Sequence, residues 1–393
     1  MSALSSLIEN EEVRCREFPV AASQVFFAHA AVAPLPRVAV QAMQEFLERG
    51  SQDSQENEWV WTKVRAAREA VAGLLGGEAT EIALLGPTSL GLNLVAHGLP
   101  WQDGDEVVYY RDDYPANVYP WTALSTRGVQ AVSLEPERPG KITWELVASA
   151  LSARTKLVAL ASCSFLSGYR IDVDEIGKGL QERGILFCVD GIQTLGAFPL
   201  SVKYVDFLSA DSHKWLLGPV GAGVFYVKKS RHELLAPAML GAWNVVAPHY
   251  VAQNEIRFHD GARKYEPGSL NLPGIVGMGA SMELLGSIGM EVIGERILEL
   301  RRFLLDRVRP WGYHAYGEPD DQASAAHSGI VSLTHPDRNI RTLARNLRAA
   351  NVVISLRRNR AGQEFLRFSP HFYNTHEELE RAIEVLAAQS STA

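Results

Sequence analysis

Asp190, Gln193, His213 and Lys214 put an acid, an amide, an imidazole and an amine into one short stretch of the chain. An apolar run from Ile185 to Val189 ends at Asp190, and a second from Val205 to Leu208 leads into Ser209, Asp211, His213 and Lys214. Short apolar runs bounded by polar residues read as buried strands. In open α/β sheets the crevice beyond the strand carboxyl ends is where ligands sit. An acid and an amine delivered there face one small molecule, and the amine can form a Schiff base with a carbonyl.

The elements that must position these groups follow from the alternation along the chain. Residues 1 to about 20 read as a short amphipathic helix, and Val25 to Ala28 as a brief strand before the turn-rich AVAPLPR. Helical periodicity runs from Val38 to Arg49 and from Glu58 to Leu75, stopped by Gly76 and Gly77. Strands are expected at Glu81 to Leu85, Glu106 to Arg111, Val129 to Leu134, Lys156 to Ala161 and Val224 to Val227, with helices between most of them, including one near Asn117 to Arg127. Strands separated by helical segments argue for right-handed βαβ units and a mostly parallel sheet covered on both faces. Gly86, Pro87, Thr88 and Ser89 join a strand to a helix start, where unpaired N–H groups and the helix dipole suit an anion. The later glycine segment GPVGAG precedes a strand and lacks a following Lys-Ser/Thr, so it is a turn and no nucleotide loop.

Beyond an irregular stretch from Leu234 to Glu266, helices are expected at Gly274 to Ile288 and Glu291 to Val308. Strands Gly329 to Leu333, Val352 to Leu356 and Phe365 to Phe368 then interleave with helices Ile340 to Ala350 and Thr375 to Ala388. The fold class is therefore α/β: a large domain over residues 20–270, and a smaller α+β domain from 1–19 and 271–393.

Composition excludes several classes of function. With 393 residues, 47% of them hydrophobic, a net charge of −7 and no basic run, the chain has a large core and no electrostatic footprint for nucleic acid or an anionic membrane. No run is long and apolar enough to span a bilayer, and the N-terminus does not read as a signal peptide. Cys15, Cys163 and Cys188 have no CxxC spacing, which suits reduced thiols and a cytoplasmic location. The histidines show no metal-ligand spacing, so no metal is expected. A nicotinamide-binding oxidoreductase would need GxGxxG between first strand and helix, and that is absent.

The residues fit pyridoxal 5'-phosphate, which requires a Schiff-base lysine, a carboxylate for its pyridine nitrogen, donors for its phosphate and a flat group on its ring. Lys214 fits the first and Asp190 the second; Gln193 can donate to the ring hydroxyl oxygen, and His213, Thr88 and Ser89 can reach the phosphate. At this point the chain resembles the class V aminotransferase family, the cysteine desulfurase-like branch of fold type I pyridoxal-phosphate enzymes, from about residue 20 to 385. The resemblance rests on GPTSLGLNLVAHGL, YPANVYPW, VDGIQ, SHKWLLGPVGAGVFYV, YEPGSLNLPGIVGMGAS and RFSPHFYNTHEELE, in that order. It implies that Tyr114 stacks on the pyridine ring with Asn117 nearby, and that Arg367 binds the carboxylate of an amino-acid substrate. It further implies that Ser269 reaches the phosphate held by a partner subunit, hence a homodimer with shared active sites.

Departures from the family pattern narrow the reaction. Cysteine desulfurases carry a nucleophilic Cys on a loop of the small domain, and this chain has no Cys after Cys188. Phe165 stands where those enzymes place an Asn, and Asp211 where they place a hydroxyl residue; beside a phosphate that acid must turn away or bond His213. The loop that would hold the Cys reads RRNRAGQ, in which Arg357, Arg358 or Arg360 either binds a second acidic group of the substrate or is simply solvated. The expected reaction is transamination or β-elimination of the C–S lyase type at an amino-acid α-carbon. Racemisation of the isopenicillin N epimerase kind, cysteine desulfurase or selenocysteine lyase-like chemistry, and a non-catalytic ligand-binding role are the alternatives.

Overall fold

The computed structural model describes residues 3–318 and 325–388; the polar tail QSSTA lies outside them. The first helical stretch is two helices, α1 (Ala3–Ile8) and α2 (Glu11–Glu17). Asn10 separates them because its side chain accepts from the Val13 N–H, which is how an Asn starts a helix rather than continuing one. After β1 (Val25–Phe26) come α3 (Arg37–Gly50) and α4 (Glu58–Leu75), the second closed by Gly76 in the left-handed conformation.

The main sheet is then laid down by β2 (Ile82–Leu85), α5 (Thr88–Gly98), β3 (Glu106–Tyr109), α6 (Tyr119–Thr122), β4 (Gln130–Ser133) and α7 (Trp144–Ser149). It is completed by β5 (Thr155–Ala161), α8 (Val173–Gln181), β6 (Leu186–Asp190), β7 (Phe207–Asp211) and β8 (Gly223–Val227). The helix expected over 117–127 is only one α turn, α6, followed by a 3-10 stretch, Ala123–Arg127. Pro120 has no N–H to donate, so it sits in the first turn of a helix that starts only at Tyr119.

The seven strands run in the order β2-β8-β7-β6-β5-β3-β4, parallel except for β8, which is antiparallel to both neighbours. Alternate residues along each strand point to opposite faces. Leu84, Val158, Val189 and Leu208 pack with α4 and α8 on one face, while Ala83, Ala159, Cys188 and Phe207 pack with α5 on the other. Both faces are covered, as the βαβ alternation requires. Gly91 brings α5 against the sheet: a Cβ there would stand 2.4 Å from the Ser209 Oγ.

The chain continues with α9 (Leu272–Ile288), α10 (Met290–Val308), β9 (His314–Ala315), β10 (Val331–Thr334) and α11 (Ile340–Ala349). Next are β11 (Val352–Val353), β12 (Ser355–Arg358), β13 (Glu364–Phe368) and α12 (His376–Ala388). Helix α9, apolar on every side, packs against α3 and α4 and shares the core of the large sheet. The small antiparallel sheet, ordered β12-β13-β10-β9, encloses a separate core with α10, α11 and α12.

The single strand expected from Val352 to Leu356 is two, split at Ile354. Val352 and Val353 pair in parallel with Val25 and Phe26, whereas Ser355 to Arg358 pairs antiparallel with β13. The brief strand at the start of the chain is thus an edge of the C-terminal region. A bridge from Ala28 to Ser369 extends this contact and leads the chain into the site. Among the described residues no single helix is long and apolar enough to cross a membrane.

Candidate active site

Strands β6 and β7 are neighbours in register, with Asp190 opposite Ser209, so their carboxyl ends open side by side. A cavity of about 300 Å³ lies there. Its walls bring together Thr88, Ser89, Tyr114, Asp190, Gln193, His213, Lys214 and Arg367, eight of the ten residues expected from sequence. Ala30, Ala31 and Val32, carried in by the segment after β1, supply another wall, as do Phe165 and Arg357.

Asp190 is buried, and one of its oxygens accepts from the Ile192 N–H at 3.1 Å. Burial raises its pKa, opposed by that hydrogen bond and by the Lys214 charge. Lys214 is buried as well, and desolvation draws its ammonium down to about 8 despite the opposing Asp190 charge, with Arg367 and Arg357 adding to the fall. An amine tuned toward neutrality is a competent nucleophile and proton acceptor. Its nitrogen stands 5.4 Å from the centre of the Tyr114 ring, and that ring meets Phe165 edge-on at 5.5 Å.

Gln193 is held by two core contacts. Its Oε1 accepts from the Trp215 indole N–H at 2.9 Å, and its Nε2 donates to the Ala30 carbonyl at 3.1 Å. The second Nε2 proton has no partner in either contact, so the amide can present a donor to a ligand. Trp215→Phe is expected to strand Gln193 Oε1 without a donor, costing about 1–3 kcal/mol. A thermal melt would read the loss, and an unchanged Tm would deny Trp215 this positioning role.

At the start of α5, Thr88 is buried and its Oγ1 accepts from the Asp211 N–H at 2.9 Å, leaving the hydroxyl proton to donate elsewhere. Asp211 does not line the cavity; its Oδ1 is 3.1 Å from His213 Nδ1, in ion-pair range though poorly aligned for a hydrogen bond. The acid therefore turns to the imidazole, as its unfavourable charge beside an anion site demands.

Arg367 is buried on β13, and only its Nη1 is bonded, to the Phe165 carbonyl at 2.6 Å. Its Nε and Nη2 have no hydrogen-bond partner, and its pKa falls to about 9 through burial first and then the nearby Arg357 charge. Unsatisfied buried guanidinium nitrogens are costly. A carboxylate accepting from both Nε and Nη2 would satisfy them.

Two expected residues do not enter the cavity. Asn117 is buried behind Tyr114, with its amide spent on both sides: it donates to Asp113 at 3.0 Å and accepts from the Trp121 indole at 3.0 Å. Ser269 is exposed on the loop before α9 and lies outside the walls of its own subunit's cavity. Sequence reasoning passed over Asp113, whose carboxylate accepts from the N–H groups of Tyr114 and Ala161 and thereby ties the Tyr114 turn to β5. Burial, then the Asp190 charge, raises its pKa to about 7. Its place immediately before Tyr114 was the available signal. Among the described residues no cluster of His, Cys, Asp and Glu could hold a metal.

The chemistry of the walls fits pyridoxal phosphate: an amine, a buried carboxylate with one free oxygen, an aromatic face, hydroxyl donors at a helix start and an open guanidinium edge. Known proteins agree with that fit. The family model of class V aminotransferases matches residues 25–382. A probable cysteine desulfurase of Methanothermobacter thermautotrophicus is 29% identical, over 96% of this chain and 98% of its own. An uncharacterized aminotransferase of Bacillus subtilis, YcbU, is 30% identical over 84% of each chain. The solved apo structure of cysteine desulfurase from Thermococcus onnurineus superposes with a TM-score of 0.88 at 25% identity, covering 96% of this chain and 97% of that one. With its model spanning nearly the whole chain and its cofactor chemistry matched in the cavity, the chain belongs to the class V aminotransferase family of pyridoxal-phosphate-dependent enzymes.

Proposed function

We propose that this enzyme acts at the α-carbon of an amino acid, by transamination or by β-elimination of the C–S lyase type. The observation that carries the reading is the convergence of Lys214, Asp190 and the two unbonded nitrogens of Arg367 on one cavity. When bound, the cofactor withdraws electrons from the α-carbon of an attached amino acid.

The chain's own residues do the rest. Lys214 would supply the amine that holds the cofactor, and its nitrogen is placed to take the α-proton. Asp190 would hold the pyridine nitrogen protonated through its second oxygen, Tyr114 would cover the ring, and Gln193 would donate to the ring hydroxyl oxygen. Thr88, Ser89 and His213 hold the phosphate, helped by the N–H groups at the α5 start. Arg367 fixes the substrate carboxylate and so orients the α-proton toward Lys214.

A persulfide relay like that implied by the desulfurase names of the relatives needs a thiol on the small-domain loop. The turn between β12 and β13 carries Asn359, Arg360, Ala361 and Gly362 there; Cys163 and Cys188 are buried thiols with raised pKa values, and Cys15 sits on α2 outside the cavity walls. Sulfur transfer through an enzyme cysteine is therefore disfavoured.

The pairing of two subunits belongs to the same reading. Val32, Tyr114 and Val220 are exposed apolar side chains, Ser269 is exposed outside its own cavity, and together these suit a homodimer in which Ser269 reaches the partner's cofactor phosphate. Sedimentation reads this, and a monomer at micromolar concentration would exclude it. A cytoplasmic location suits three unpaired cysteines.

The reaction is tested by adding a panel of amino acids to the cofactor-loaded protein and following its absorbance together with keto acid, ammonia, sulfide and enantiomer products. Keto acid accompanied by ammonia or sulfide marks elimination. Keto acid formed once per enzyme in the absence of an acceptor marks transamination. Inversion alone would overturn both.

A further inference from the structure

The basic hairpin that replaces the cysteine loop separates its three arginines by strand periodicity. In β12, Arg358 stands opposite Glu364 and pairs with it at 2.7 Å. Arg360, at the turn, pairs with Asp112 and donates to the Arg111 carbonyl. Both cations are neutralised outside the cavity.

Arg357 is the exception. Successive strand residues face opposite ways, so it points away from the Arg358 side, sharing a face with Ser355 and with the cross-strand partner of Ser355, Arg367. The two arginines are diagonal neighbours, a separation of about 7–8 Å between backbones in an antiparallel ladder. Arg357 lines the same cavity as Arg367 and Lys214. It is half-buried, and its recorded bond is from Nη1 to the Leu356 carbonyl next to it in the chain, at 3.0 Å. Among the described residues no carboxylate forms an ion pair with either Arg357 or Arg367.

Two guanidinium groups without carboxylate partners line one wall; burial first, and then the Arg357 charge, lowers the pKa of Arg367. Arg358, on the other face of the strand, has Glu364 as its partner, which Arg341 shares. A single α-carboxylate engages the Nε and Nη2 edge of Arg367 and so satisfies one arginine. Arg357, half-buried and without a carboxylate partner, is left free to take a second anion displaced from the first by the spacing of the two side chains.

We propose that Arg357 and Arg367 form a two-anion subsite, and that the substrate is an amino acid whose side chain ends in a carboxylate or comparable oxyanion. This rests on the reading of Arg367 as the α-carboxylate site. Arg357 sets specificity by taking the distal group, while Tyr114 and Phe165 line the space between.

The test is a set of spectral titrations of the cofactor-loaded enzyme with aspartate, asparagine, glutamate, glutamine and cysteine sulfinate, repeated on Arg357→Met and Arg357→Lys. At least one acid is expected to bind about 10- to 100-fold tighter than its amide, the range of a charge-assisted hydrogen bond. That ratio should fall to about one in Arg357→Met and recover in part in Arg357→Lys. Succinate against butyrate, followed by thermal shift, reports the same preference without any reacting amine. A wild-type ratio near one, or a ratio that survives in Arg357→Met, would overturn the subsite. Alanine, which has only the α-carboxylate, tests the underlying assignment: unchanged alanine binding in Arg367→Met would overturn the α-carboxylate site whatever the acid-to-amide ratio, so the two failures are distinguishable.

Discussion

Lys214→Ala is expected to lower turnover by at least about 10⁴-fold, because on the proposed function it removes both the covalent anchor of the cofactor and the base for the α-proton. The fold should survive. The substitution takes an amine out of a desolvated site and empties no large apolar space, so thermal melts of the cofactor-free variant should match or exceed the wild type. A pH dependence separates this from misfolding. In the cofactor-free wild type, Lys214 titrates near 8 when folded and near its ordinary 10.5 when unfolded. The unfolded chain then binds more protons between these values, so stability rises with pH from about 8 to 10.5. The alanine variant should lack that component of the rise. Retention of turnover in Lys214→Ala would remove the lysine from the mechanism.

The second large effect is expected at Asp190. Asp190→Asn keeps the shape and the bond to the Ile192 N–H while deleting the charge that stabilises the pyridinium. A fall of about 10²- to 10³-fold in kcat/KM follows, the size produced by removing one preorganised electrostatic partner. The same change withdraws the attraction that most strongly holds the Lys214 ammonium up, so the lysine pKa should move below about 8. In the cofactor-free protein the pH transition at which stability begins to rise should be displaced downward with it. Full activity in Asp190→Asn, with an unmoved transition, would assign the pyridine nitrogen to another partner.

Much of the site was legible in the sequence because chemistry at strand ends leaves a local mark. The runs ending at Asp190 and leading to Asp211 are short, apolar and interrupted sharply by polar residues, and they are β6 and β7 in the structure. The position of Arg357 was not legible in the same way. RRNR is four adjacent polar residues, and only the pairing of Ser355 with Arg367 decides which arginine faces inward. That register comes from a partner strand and leaves no trace in the loop itself.

Where local patterns misled, a specific residue or a distant partner was responsible. Asn10 cut the first helix in two by capping the second half. The apolar run from Val352 reads as one strand, yet its first two residues pair with the chain's beginning and the rest with β13. Asn117 carried a motif position, but its amide is consumed in holding Asp113 and Trp121 together. It acts on the ring-covering turn from behind.

The pairing of β1 with β11 also governs when the site can exist during synthesis. Val25 and Phe26 leave the ribosome long before their partners Val352 and Val353, more than 300 residues further along the chain. The wall formed by Ala30, Ala31 and Val32 follows that pair and the Ala28–Ser369 bridge, so its position depends on residues beyond 350, as do the walls from Arg357 and Arg367. Contacts of such long sequence separation form slowly, after the local βαβ units have condensed. A chain truncated before β11 would carry Lys214 and Asp190 in a half-built crevice lacking the walls that Arg357 and Arg367 supply.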